Sequence, residues 1–159
     1  MLDTKDTIWH GQTDASELNE KAAGCLNANL GIEITEITAT SLRGRMPVDE
    51  RTIQPAGVLH GGASVAFAET LASWAAYLAV DRTRFHVVGQ EINANHLRPG
   101  IRGQYVYGEA TALMIGRRSH VWMINIRNDQ GKLVCVSRCT MAVIDIPGQY
   151  TTADQRTGS

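Results

Sequence analysis

The stretch QPAGVLHGGASVAFAETLAS (residues 54–73) is apolar almost without a break, yet Gln54, His60, Glu69 and Ser73 sit within it. Rich in alanine and free of proline after Pro55, it predicts one long helix opening near Val58 and running to about Val80. A helix that is apolar nearly all round has to be covered nearly all round. The chain beyond it supplies the cover. Residues 86–97, 102–115, 119–128 and 132–146 are four strand-like runs, separated by the turn-like RPGI, GRR and NDQGK. The DQG within the last turn is a hairpin signal, so the final two strands are expected as antiparallel neighbours. Upstream, DASELNEKAAG (14–24) fits a short amphipathic helix capped by Asp14 or Ser16 and stopped by Gly24. GIEITEITATSLRGRMPV (31–48) alternates apolar with polar residues and reads as one or two strands. The expected fold is α+β, a curved antiparallel sheet wrapped around one long central helix.

A chain of 159 residues with 43% hydrophobic and 19% charged residues fits one globular domain, with its core over about 26–146 and a frayed polar tail at 147–159. Fifteen basic residues against sixteen acidic leave a net charge of −1, which argues against nucleic acid or an anionic membrane surface as a partner. MLDTKDTIWHGQ lacks the basic start and apolar run of a signal peptide, and Glu69 and Thr70 interrupt the best candidate for a membrane span. Cys25, Cys135 and Cys139 show no zinc or redox spacing and point to reduced thiols in the cytoplasm. His10, His86 and His120 are scattered, and no metal or cofactor is expected.

The polar residues of 54–73 pose a geometric problem. The N–H groups of Gly61 and Gly62 would point out of the helix start, where a developing negative charge is favoured. Glu69 lies eight residues on, about 12 Å further along the axis. One chain cannot bring the two to the same atom, whereas antiparallel copies of the helix about a two-fold axis can. Any site using both is therefore expected to be shared between subunits. Plainer readings stand beside this one: Glu69 facing solvent at an open edge, His60 capping the helix, Gln54 serving a turn. Taken together, a glutamine, a helix start opened by two glycines and a carboxylate are the parts acyl-transfer chemistry asks for.

At this point MPVDERTIQPAGVLHGGASVAFAETLAS (46–73) resembles the signature of hotdog-fold acyl-CoA thioesterases of the PaaI-like superfamily. It is most similar to the branch holding the proofreading thioesterases of enterobactin synthesis and the 1,4-dihydroxy-2-naphthoyl-CoA hydrolases. The likeness continues through VVGQEINANHLRPG, GRRSHVW and DQGKLVCVSRCT, covering about residues 26–145. The resemblance implies a hotdog fold and hydrolysis of an aryl (hydroxybenzoyl- or hydroxynaphthoyl-like) or medium-chain acyl-CoA to the free acid and CoA. Glu69 would be the nucleophile or general base. The Gly61 N–H and the Gln54 amide would bind the carbonyl oxygen, His60 would orient the thioester or the water, and Ser73 would hold the water or the acyl group. Val88 and Gly89 by their backbone, His96, Arg98 and the turn Gly116, Arg117 and Arg118 would lie near CoA, with Trp74 shaping the acyl pocket. It further implies shared sites in a dimer, a dimer-of-dimers tetramer and no metal.

Two departures bear on substrate rather than chemistry: Ala56 stands where the enteric relatives carry phenylalanine, and Trp74 is larger than the expected Met or Val. Arg117 and Arg118 also fit a solvated hairpin tip, and Trp122 and Met123 fit core packing. A carrier-protein thioester presents the same pantetheine arm as CoA. A hydratase on the same fold pairs its acid and histidine differently from an HGG followed by glutamate nine residues after the His. A non-catalytic acyl-CoA-binding protein would leave the catalytic position empty, and Glu69 fills it.

Overall fold

The computed structural model describes residues 7–147. Residues 1–6 and the expected tail from 148 on lie outside the described residues. Helix α1 (Ala15–Lys21) is capped by Asp14, whose carboxylate accepts the Glu17 N–H at 2.9 Å. A four-residue helix, α2 (Leu26–Asn29), follows. The long helix α3 spans Gly61–Leu78 and starts three residues later than expected. Val58 and Leu59 are instead drawn into bridges with Ile101 and Ile53, so their backbones are committed before the helix opens.

Residues 31–48 make two strands, β1 (Glu33–Ile37) and β2 (Ser41–Pro47). After α3 come β3 (Phe85–His96), β4 (Tyr105–Ile115), β5 (Ser119–Asn128) and β6 (Leu133–Asp145). Strand β4 begins later than 102 because Gln104 N–H closes a turn on the Ile101 carbonyl, with Gly103 at φ +86°. The six strands form one sheet in the order β1-β2-β4-β5-β6-β3, and all five pairings are antiparallel. Alternate residues of β5 (Trp122, Ile124, Ile126) and β6 (Cys135, Cys139, Met141) are buried with Phe67, Leu71, Ala72 and Ala75 of α3. The period-2 alternation thus delivers one apolar face to the helix. The approach is close enough that Gly108 has no room for a side chain, since a Cβ there would stand 2.5 Å from Leu71 Cδ1.

The cover is incomplete. Along the flank of α3 beside β3, Glu69 is exposed and Thr70, Ser73, Trp74 and Tyr77 are half-buried. This corrects the expectation of a helix sheathed nearly all round: the strand at this edge, β3, has no neighbour beyond it among the described residues. The segment before α1 packs tightly instead. Trp9 stacks on Trp122 with centroids 6.1 Å apart and donates from Nε1 to the Thr38 carbonyl at 2.6 Å. Among the described residues no helix is long and apolar enough to cross a membrane.

Candidate active site

A tight hairpin places Gln54. Its N–H donates to the Val58 carbonyl at 2.9 Å, Gly57 takes φ +80°, and Pro55, Ala56 and Gly57 form the three-residue loop. The Gln54 side chain folds over this loop, its Oε1 accepting the Ala56 N–H at 2.7 Å. The plain turn role is therefore real, and it also orients the amide. With the oxygen tied down, both Nε2 protons remain to be given elsewhere.

His60 is the cap of α3: its Nδ1 accepts the Gly62 N–H at 2.8 Å. The neighbouring Gly61 N–H donates to no acceptor among the described residues, so the helix start keeps one open donor where the dipole favours negative charge. The loop after β3 is zipped to this region by Leu59 N–H to the Gly100 carbonyl at 3.0 Å. That contact sets the His96 ring against Gly61, where a Cβ would lie 2.9 Å from His96 Nε2. Arg98 is exposed, with Nη1 on the Leu133 carbonyl at 2.9 Å. Gln54, Gly61, Ser64, His96 and Arg98 line a cavity of about 410 Å³.

A second cavity, of about 480 Å³, opens on the helix flank, lined by Glu69, Thr70, Ser73, Trp74 and Tyr77 with Asn27 of α2. Glu69 is exposed at the open edge rather than sunk among apolar groups, and its carboxylate rests on Gly89 of β3, where a Cβ would meet Oε1 at 2.6 Å. The charge on Glu69 is felt behind the sheet edge: burial first, then the Glu69 and Glu91 charges, push the Cys139 thiol up to about 12. Val88, beside Gly89, pairs with Ala142, which pairs in turn with Ser119. The Gly116–Arg118 turn therefore sits at the Glu69 end of the sheet, two strands and about 10 Å from Val88. Arg117 is exposed, and Arg118 is 3.5 Å from Asp145 at the hairpin tip.

The expected residues thus fall into two groups. Gln54, His60, Gly61, His96 and Arg98 gather at the start of α3. Glu69, Ser73, Trp74, Val88 and Gly89 gather at the other end of β3, with the arginine turn in the same row. Because Gly61 and Glu69 both belong to α3, about 12 Å of helix axis separates the two groups. Tyr77 continues the Glu69–Ser73 flank by another four residues and was legible from helical spacing; Asn27 comes from a distant segment and carried no such signal. A larger concavity, of about 720 Å³ between Trp9, His10, Glu17 and Leu78, holds none of the expected residues. Among the described residues no group of three or more His, Cys, Asp or Glu side chains is placed to hold a metal.

Comparison with known proteins identifies the family. Residues 56–135 match the family described as the Thioesterase superfamily. A putative esterase of Pseudomonas aeruginosa is 45% identical over 143 residues, 90% of this chain and 98% of its own. The crystal structure of a mutant thioesterase from that organism superposes with a TM-score of 0.86 at 44% identity, covering 88% of this chain and all (100%) of the other. The proofreading thioesterase EntH of Cronobacter turicensis is 46% identical over 137 residues, 86% of this chain and 98% of its own. The 1,4-dihydroxy-2-naphthoyl-CoA hydrolase of Escherichia coli is 42% identical, over 86% of this chain and 99% of its own. The chain belongs to the Thioesterase superfamily: it is a thioester hydrolase built on the hotdog fold.

Proposed function

We propose that the protein, a single domain acting in the cytoplasm, hydrolyses an aryl or medium-chain acyl-CoA to the free acid and CoA, at sites shared between two subunits. The carrying observation is the separation of carboxylate from oxygen donors along one rigid helix. Since Gly61 lies against His96 and Glu69 against Gly89, α3 runs antiparallel to β3. Pairing the free edge of β3 with a second copy about an axis between Ile92 and Asn93 sets Gly89 opposite the partner's His96. Glu69 then faces the partner's Gly61, and two composite sites arise at once. A further pairing of dimers gives the tetramer.

In each site the Gly61 N–H and Gln54 Nε2 of one subunit hold the carbonyl oxygen, stabilising the charge that grows on it. Glu69 of the other subunit either attacks the carbonyl carbon, giving an anhydride that water then hydrolyses to the free acid, or takes a proton from the attacking water, which Ser73 and His60 position; on both routes the C–S bond breaks and CoA leaves as its thiolate. Trp74 bounds the acyl group. The backbone of Val88 and Gly89 with His96 and Arg98 holds pantetheine, and Arg117 and Arg118 offer the planar fork that suits phosphate. Neither metal nor cofactor takes part. Carrier-protein thioesters are the second reading, favoured by the likeness to a proofreading thioesterase.

The test is release of CoA, followed with DTNB, from benzoyl-CoA and hexanoyl-CoA. Glu69→Gln loses on the order of 10²-fold or more in kcat. Undiminished turnover in that variant would remove Glu69 from the mechanism.

A further inference from the structure

The cavity beside Glu69 has more in it than a thioester carbonyl requires. Trp74 and Tyr77 meet edge to face, with centroids 5.5 Å apart and planes at 77°, and form an aromatic wall. Tyr77 is held under two cations, Lys21 Nζ at 5.7 Å and the Arg82 guanidinium at 5.2 Å from its ring centre. Such a wall is fixed before any ligand arrives. Leu26, Ala66 and Val87 complete the apolar lining. Into this space α2 places the half-buried Asn27, its backbone pinned by the Ile32 N–H on its carbonyl at 2.8 Å.

The amide of Asn27 is positioned but not satisfied. The Thr70 hydroxyl stands 2.8 Å from the Ala66 carbonyl and 3.3 Å from Asn27 Oδ1. A hydroxyl has one proton and cannot serve both acceptors, and the shorter bond to Ala66 takes it. Asn27 Oδ1 is therefore left with spare accepting capacity, and Asn27 Nδ2 has no acceptor among the described residues. A half-buried amide held this way, in an aromatic-walled cavity beside the reacting carboxylate, is matched by a hydroxyl carried on a flat ring.

We propose that Asn27 is a specificity-determining residue: its amide accepts a hydrogen bond from a ring hydroxyl of an aryl thioester bound between Trp74, Tyr77 and α2. This rests on the aryl-CoA reading above, whose hydroxylated acyl group the family resemblance already implies, and adds to it a residue that reads the hydroxyl. An aliphatic or unsubstituted acyl group leaves the amide to water and forgoes the bond. In a half-exposed setting a neutral hydrogen bond of this kind is worth about threefold to tenfold in kcat/KM.

The experiment compares kcat/KM for benzoyl-CoA and the 2-, 3- and 4-hydroxybenzoyl-CoA isomers on wild type, Asn27→Leu and Asn27→Asp. Wild type is expected to favour at least one hydroxy isomer over benzoyl-CoA by about threefold to tenfold. Asn27→Leu keeps the volume but not the acceptor and brings that ratio to about one, while Asn27→Asp retains an acceptor and the preference. A ratio unchanged in folded Asn27→Leu, or a loss spread equally over all four substrates, overturns the proposal. So does a wild type without any preference among them. Should wild type hydrolyse none of these thioesters, it is the aryl-CoA reading that fails. Calorimetric binding of the same four compounds to wild type and Asn27→Leu then decides Asn27 by the same ratio.

Discussion

Replacing Gly89 by alanine separates the placing of the carboxylate from the stability of the fold. A Cβ at position 89 would lie 2.6 Å from Glu69 Oε1, whereas ordinary contact begins at 3.4 Å, so the carboxylate must retreat by the difference, about 0.8 Å. The obstructed atom is the tip of a flexible, exposed side chain, and the move costs the fold little. Gly89 does not take a positive φ, so alanine there also trims the freedom of the unfolded chain, worth about 0.4–1 kcal/mol in favour of the folded state. Catalysis is less forgiving, because a misplacement of about 1 Å costs on the order of 10²-fold. The expected result is a kcat for benzoyl-CoA lowered by about 10- to 100-fold, with KM within about threefold and Tm unchanged or slightly raised. Gly108→Ala is the control. Its Cβ would strike Leu71 and Phe67 inside the core, costing about 1–3 kcal/mol or roughly 3–10 °C in Tm. A Gly89→Ala enzyme with wild-type kcat, or one whose activity falls only in step with Tm, would refute the placing of Glu69 by Gly89.

The proposed sharing of each site between two subunits is tested by complementation. Glu69→Gln and Gln54→Ala are each expected to be nearly inactive, the latter by about 3 kcal/mol of transition-state stabilisation. Unfolded together and refolded as a mixture, half the dimers are hybrids with one intact site in two, and activity should recover to about a quarter of wild type by random pairing. No gain over the two variants refolded separately would place each site within one chain. Thiol titration of the native protein should show one fast cysteine, exposed Cys25, because burial holds Cys135 and Cys139 well up in their thiol forms; denaturant should release all three. Rapid reaction of three thiols in the native state would contradict the packing of β6. His120 is only 1% exposed, and burial lowers its pKa from 6.5 against a smaller opposing hydrogen bond to the Gly116 backbone. The unfolded chain therefore binds the extra proton first, and stability drops as pH falls through about 6.5. Urea midpoints at pH 7.5 and 5.5 should diverge less for His120→Asn than for wild type.

The fold was readable because its signals were long: an alanine-rich helix with no polar face, and strands alternating with period 2 between glycine turns. Element ends were less so. Val58 and Leu59 look helical in composition, but tertiary bridges to Ile53 and Ile101 claim them first. The polar residues of 54–73 stood out by contrast with their neighbours. What each one touches was not legible, because it depends on distant strands: Gly89 under Glu69, His96 over Gly61, Asn27 beside Thr70. The open edge at Glu69 was one of the readings the sequence offered, but nothing in it showed that β3 is the edge strand that leaves this flank open.

That opening has a physical logic. An acidic side chain near the start of its own helix tends to fold back and cap the N–H groups there, as Asp14 does for α1. A catalytic glutamate in that position would occupy the donors meant for the substrate oxygen and lose its own basicity to the helix dipole. In α3 the cap is taken by His60, a weaker acceptor that uses only the Gly62 N–H and leaves Gly61 open. Glu69 is held more than two turns away, beyond reach of its own helix start. The proposed assembly about the edge of β3 would then bring carboxylate and donors together across the thickness of a substrate, with the thioester carbonyl between them. Distance within the chain keeps the carboxylate and the helix start from neutralising each other, and the proposed dimer would supply the proximity that catalysis needs.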